Sequence, residues 1–212
     1  MTDYAKIALT STYSKSSSYS PAKVYLDPDP FALTPDEYMH FEVQADTGGT
    51  TLTLSHLASI SAVVIKNNDT ANGVRVVWHN ARGSASYANL LTFADAATGD
   101  TITEDGSGTD FTATSIDVVA GGYVRLTGAT DAANNATFLV SSTTATAITL
   151  ATSETLTARD DTATVTINSQ EKNSQKISAG GFLVVSDIVP EEGLTLTADS
   201  SAVECEVLIF GT

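Results

Sequence analysis

The sequence predicts an all-β protein: a discontinuous β-sandwich or jelly-roll-like base domain, an inserted small β-barrel or Ig-like β-module, and an extended N-terminal arm. Three observations lead there. Thr, Ala and Ser supply 82 of the 212 residues, and β-branched Thr suits a half-solvated pleat. Short runs of period two recur along the chain, separated by Gly, Asn and Asp clusters. Helical periodicity is scarce, and residues 85–97 are the only stretch that could carry it; they read equally well as irregular.

Residues 1–36 read as the arm. Residues 14–20 are a serine-rich low-complexity run, and Pro28, Pro30 and Pro35 fall within eight positions. Proline lacks a backbone donor and pushes its predecessor toward extended geometry, so this region is expected to form neither helix nor central strand. Residues 22–26, AKVYL, are suited to adding as a strand to a neighbouring sheet. The apolar content of the arm marks Tyr25, Leu26, Phe31 and Leu33 as candidate partner-binding residues.

Residues 37–94 form the first part of the base domain. Residues 40–45 and 51–57 alternate cleanly, and residues 60–67, ISAVVIKN, are apolar enough for a central strand. Asn72-Gly73 predicts a tight turn, with residues 73–80 returning as the hairpin partner of 60–67. Residues 168–212 complete the domain, with strands at 182–188, 194–198 and 203–210. In the last of these, Val203, Cys205, Val207 and Ile209 share one parity, and Leu208 and Phe210 on the other parity predict an end buried on both faces.

Residues 95–167 differ in style and read as the inserted module. They hold no lysine, tryptophan or histidine, and their only bases are Arg125 and Arg159. Six strands are expected, at 101–103, 111–118, 123–128, 136–142, 147–152 and 162–167. Surface loops tolerate such insertions because loop-closure entropy grows slowly with length.

Charge and cysteine usage exclude several functions. Ten Lys and Arg against 25 Asp and Glu give a net charge of -15. No basic stripe is available for a phosphate backbone, so nucleic acid is not expected as a partner, and an anionic membrane surface is disfavoured likewise. No apolar run approaches the length of a membrane span, and residues 1–12 do not read as a signal peptide. Cys205 alone can form neither an intramolecular disulfide nor a cysteine-based zinc site.

The remaining chemistry is sparse. His40, His56 and His79 share no metal-ligand spacing. The adjacent acid pairs, among them Glu104-Asp105, Asp160-Asp161 and Glu191-Glu192, lack the aromatic platforms that glycoside hydrolysis wants, with Trp78 the sole tryptophan. Residues 103–110, TEDGSGTD, look superficially like a calcium loop, but their oxygens depart from the twelve-residue pattern. No catalytic residue, metal site or cofactor is expected, and the chain reads as non-enzymatic.

Residues 60–78, ISAVVIKNNDTANGVRVVW, with 176–188 and 194–212, resemble small virion proteins of tailed bacteriophages. The shared order is a strand ending in IKN, an Asn-rich turn, a partner strand, a glycine turn and a final strand. Here that glycine turn, Ala179-Gly180-Gly181, lacks the acid often found in it. Residues 121–152 resemble a small β-module recurrent in phage structural proteins, with Asn135-Ala136 in place of the usual Asn-Gly. The resemblance implies a virion protein made in the host cytoplasm, foremost a capsid decoration (cement) protein. It would bind the major capsid protein lattice on the capsid surface through the base domain and arm, as a homo-oligomer with a trimer favoured. The alternative is a tail or baseplate component whose inserted module contacts host-surface glycans.

Overall fold

The computed structural model describes residues 39–211 in full and, upstream of them, the backbone of short strand segments. The upstream strands are β1 (Ala5–Ile7), β2 (Thr10–Tyr13), β3 (Ala22–Tyr25) and β4 (Phe31–Leu33). Among the described residues, β1 pairs with β4 and β2 with β3. Of the segment expected to join a neighbouring sheet, Ala22–Tyr25 pair with β2 within the arm, and Leu26 lies outside the described residues.

The base is a β-sandwich. Its first sheet is antiparallel, in the order β16 (Phe182–Val185), β7 (Ile60–Asn67), β18 (Val203–Gly211) and β5 (Glu37–Ala45). The facing layer is one end of a ten-stranded antiparallel sheet, where β8 (Val74–Ala88) is flanked by β17 (Leu194–Ala198) and then β6 (Thr50–Leu52) on one side, and by β15 (Thr164–Ile177) on the other. Alternation sets the faces. Val203, Cys205, Val207 and Ile209 of β18 point into a core shared with Val63, Ile65, Val74, Val76, Leu194 and Leu196.

The rest of the ten-stranded sheet continues from β15 through β11 (Tyr123–Thr127), β12 (Thr137–Thr143), β13 (Ala147–Leu150), β10 (Thr101–Glu104), β9 (Leu91–Ala94) and β14 (Arg159–Asp161). Side chains from these strands meet in a second core that includes Phe93, Ile102, Leu126, Phe138, Ile148 and Ile167. One face of one sheet can fill a single cluster only if the sheet curls around it. Among the described residues there is no α-helix, only a 3-10 turn at Ala132–Asn134.

β8 and β15 run through both halves as an antiparallel ribbon paired from Val74↔Ile177 to Ala88↔Thr164, a span on the order of 45 Å. On β8 the buried residues are even-numbered in the base (Val74, Val76) and odd-numbered above it (Tyr87). The parity change comes from a bulge: Ala81 faces Gln170, Gly83 faces Ser169, and Arg82 is the extra residue. One face of the ribbon therefore serves both cores.

Four sequence expectations are corrected. Residues 60–67 and 73–80 do not form a hairpin, because β7 and β8 lie in different sheets. Asp69 closes the turn between them by accepting from the N–H groups of Ala71 and Asn72 at 2.6 and 2.7 Å. These bonds hold its carboxyl below the ordinary carboxylate range. Gly73 does not take a positive φ, and a Cβ there would lie 2.6 Å from Asp199 Oδ2, the far end of a side chain.

Residues 111–118 form turns instead of a strand. Their apolar spacing breaks parity between Phe111 and Ile116, yet both are fully buried in the second core. Residues 85–97 hold the end of β8 and all of β9 rather than a helix. The alternation at 51–57 outlasts its strand, which ends at Leu52, and Leu57 N–H then closes a turn on Leu54 O at 3.0 Å.

Candidate partner-binding groove at the waist

A groove of about 630 Å³ lies beside the bulge, lined by residues 58–60, 81–84 and 187–191 together with Arg125, Thr127, Asn168 and Gln170. The bulge puts Arg82 in the lining of this groove. Its Nη2 lies 2.6 Å from Asp117 Oδ2, its Nη1 3.3 Å from Glu171 Oε2, and its Nε donates to Asp117 O at 3.3 Å. Asp117 occupies the left-handed region at φ 52, and Gly83 admits the same segment, because a Cβ there would lie 2.4 Å from Ser115 O.

The loop between β16 and β17 forms the opposite wall. Asn80 on β8 holds it, donating from Nδ2 to Ser186 O at 2.8 Å and to Asp187 O at 2.9 Å. Val189 N–H adds a bond to His79 O at 2.9 Å. At the end of the loop, Glu192 Oε1 lies 3.1 Å from Arg125 Nη1 and accepts from the Thr137 hydroxyl. Base and curled module are thereby tied together by one carboxylate.

Gln170 lies beneath the groove, 1% exposed, with Oε1 at 3.0 Å from His79 Nδ1 and a buried Nε2 that has no hydrogen-bond partner. The His79 ring packs against Tyr123 at 4.9 Å between centroids, and Lys172 Nζ sits 5.7 Å from the Tyr123 centroid. The lining offers amide, guanidinium, hydroxyl and carboxylate groups, a set that recognises other polar groups by hydrogen bonding.

The residues singled out from sequence are dispersed. His40 Nε2 lies 2.8 Å from Glu206 Oε1, His56 lies against Met39 Sδ, and His79 faces Gln170. Among the described residues no group of three His, Cys, Asp or Glu side chains is placed to hold a metal ion. Cys205 is fully buried in the base core. Burial, with a lesser contribution from Glu204, pushes its thiol up to about 11.

The acid pairs build structure. Glu104 Oε2 accepts from the N–H groups of Gly106 and Gly108 at 3.0 and 2.9 Å, and Asp105 accepts from Ser107, so the TEDGSGTD loop uses these oxygens on its own turn, while the buried Glu104 Oε1 has no hydrogen-bond partner. Asp161 accepts from Thr130 N, Thr130 Oγ1 and Ala163 N at 2.7 to 2.9 Å. The side chains of Tyr25, Leu26, Phe31 and Leu33 lie outside the described residues. Sequence reasoning missed Arg82, Gln170 and Glu192. The parity switch in VRVVWHNARGSASYA, apolar at Val74 and Val76 but at Ala85 and Tyr87 later, was the available sign.

No protein-family model matches the chain, and no curated protein is similar to it.

Proposed function

We propose that the chain is a non-enzymatic structural protein of a tailed-bacteriophage virion, foremost a capsid decoration protein that binds and stabilises the major capsid lattice through its base and arm. The observation that carries this reading is the division of one chain into two separately cored β-modules on a shared ribbon, with charge concentrated in one of them. Residues 95–167 hold ten acidic residues against Arg125 and Arg159, a net of eight negative charges and over half of the chain's -15. An acidic outer module would keep an assembled surface soluble, while the base and arm would face the lattice. A closed trimer would multiply weak contacts into firm attachment.

The waist groove favours a second reading, a tail or baseplate component that binds host-surface glycans, because planar amide and carboxylate groups suit sugar hydroxyls. Deleting residues 1–35 and measuring occupancy on purified expanded capsids tests the first reading. Loss of binding is expected, and undiminished occupancy would refute a role for the arm in attachment.

A further inference from the structure

Strand register defines the floor of the waist groove. Asn168 on β15 pairs with Ser84 on β8 and with Arg125 on β11, so three polar side chains stand in one row across three strands, on the order of 10 Å long. Gln170, two residues farther along β15, shares that face and pairs with Ala81 and Tyr123. Between them the alternation turns Ser169 the other way, and Ile167 goes into the second core. Ser84, Asn168, Arg125 and Gln170 all line the groove.

This floor holds unused hydrogen-bonding capacity. Arg125 gives one guanidinium N–H to Glu192 and keeps the others. Among the described residues neither the Asn168 amide nor the Ser84 hydroxyl has a hydrogen-bond partner. Gln170 Nε2 is a buried donor without a partner, a state that costs free energy until an acceptor reaches it. The backbone, by contrast, is spent: β15 is paired on both sides along the row, so no free edge is offered to an extended peptide. Charge narrows the ligand further. Arg82 already faces Asp117 and Glu171, Arg125 faces Glu192, and Asp187 and Glu191 add two more carboxylates to the lining. An acidic ligand entering here meets more negative charge than positive.

We infer that the groove binds an uncharged oligosaccharide, with Asn168 as the central contact and Ser84, Arg125 and Gln170 around it. A planar amide presents a donor and an acceptor side by side, which matches two neighbouring hydroxyls of one sugar ring. Ser84 adds a hydroxyl on one side of Asn168, and Arg125 adds donors on the other. A ring hydroxyl over Gln170 supplies the acceptor that Nε2 lacks. Ile188, Val189 and Pro190 of the opposite wall offer apolar surface to the C–H face of the ring. The volume, about 630 Å³, falls in the range of small-molecule sites. The inference deepens the glycan reading of the groove and rests on it, independently of a place on a capsid.

Side-chain amide resonances of the full-length, isotope-labelled chain test it. Maltotriose, cellotriose, mannotriose and tri-N-acetylchitotriose are titrated as neutral probes, trigalacturonate and trisialic acid as acidic ones, and a neutral hexapeptide beside them. At least one neutral trisaccharide is expected to shift the Asn168 and Gln170 side-chain amides, and to bind roughly tenfold or more tightly than either acidic probe. Acidic probes that bind as tightly overturn the inference and leave the glycan reading standing. If no saccharide moves these resonances, or the hexapeptide alone does, both fall. Asn168→Ala and, separately, Ser84→Ala at its exposed position are each expected to weaken the neutral saccharide roughly fivefold or more. Backbone amides of β7 and β18 report that each variant is folded, and unchanged affinity in either folded variant overturns the inference.

Discussion

Arg125 on the curled module and Glu192 at the end of the β16–β17 loop form an ion pair across the waist, with Nη1 and Oε1 3.1 Å apart. Both side chains are mostly buried, with relative exposures of 29% and 16%. Replacing Glu192 with Ala strands the guanidinium and frees the Thr137 hydroxyl, at a cost of about 1–3 kcal/mol. Thermal unfolding should shift down accordingly. Hydrogen exchange should quicken in residues 187–193 while the amides of β7 and β18 stay protected. Unchanged exchange would show that the Asn80 side chain and the Val189–His79 backbone bond hold the loop without Glu192.

Gly83 and Gly73 separate two kinds of tight place. A Cβ on Gly83 meets backbone at Ser115 and Ile116, whereas one on Gly73 meets the ends of the Asp199 and Lys176 side chains. Gly83→Ala is expected to cost roughly 1–3 kcal/mol through forced backbone movement, and Gly73→Ala clearly less. Parallel denaturant titrations read the difference. Equal losses would mean that the crossing segment at 111–118 yields easily.

Cys205 predicts an alkaline limit. Burial raises its thiol to about 11 in the folded state, above the ordinary value near 8.5. The folded chain therefore holds a proton that the unfolded chain releases. This contribution to stability is full below the unfolded value and is lost as pH rises toward about 11. Cys205→Ala should flatten the stability profile over that window, and the native thiol should resist Ellman's reagent at pH 8 until the chain unfolds. Rapid native labelling would contradict the burial.

Asp161 predicts the acidic counterpart. Burial works against its charge, but the Thr130 hydroxyl and the N–H groups of Ala163 and Thr130 outweigh it and hold the carboxyl below its ordinary range. Its contribution is present above the ordinary value of about 3.9 and is lost as pH falls below it. Asp161→Asn should destabilise at pH 7 by about 1–3 kcal/mol, with the gap to the unsubstituted chain narrowing in acid. A gap constant from pH 7 to pH 2 would contradict the assignment.

Strand content was legible because its carriers are local. The period-two runs at 60–67, 194–198 and 203–210 appear as β7, β17 and β18 with bounds within a residue. Pairing was less legible, since Asn72-Gly73 carries the marks of a hairpin turn whether its flanking strands pair or pass between sheets. The waist was hidden for a different reason. A bulge changes side-chain parity by a single residue, and only the register of β15 against β8 exposes Arg82 as the extra one. The partners of Gln170 and Glu192 lie tens of residues away, as with Arg125, 67 positions from Glu192, so no local pattern announces them.

The proposal that the chain decorates a capsid is tested most directly by gold-labelled antibody against it on intact phage particles. Labelling spread over the capsid surface is expected, with none on tails. Labelling confined to the tail or baseplate, or absent from particles altogether, would contradict a decoration role.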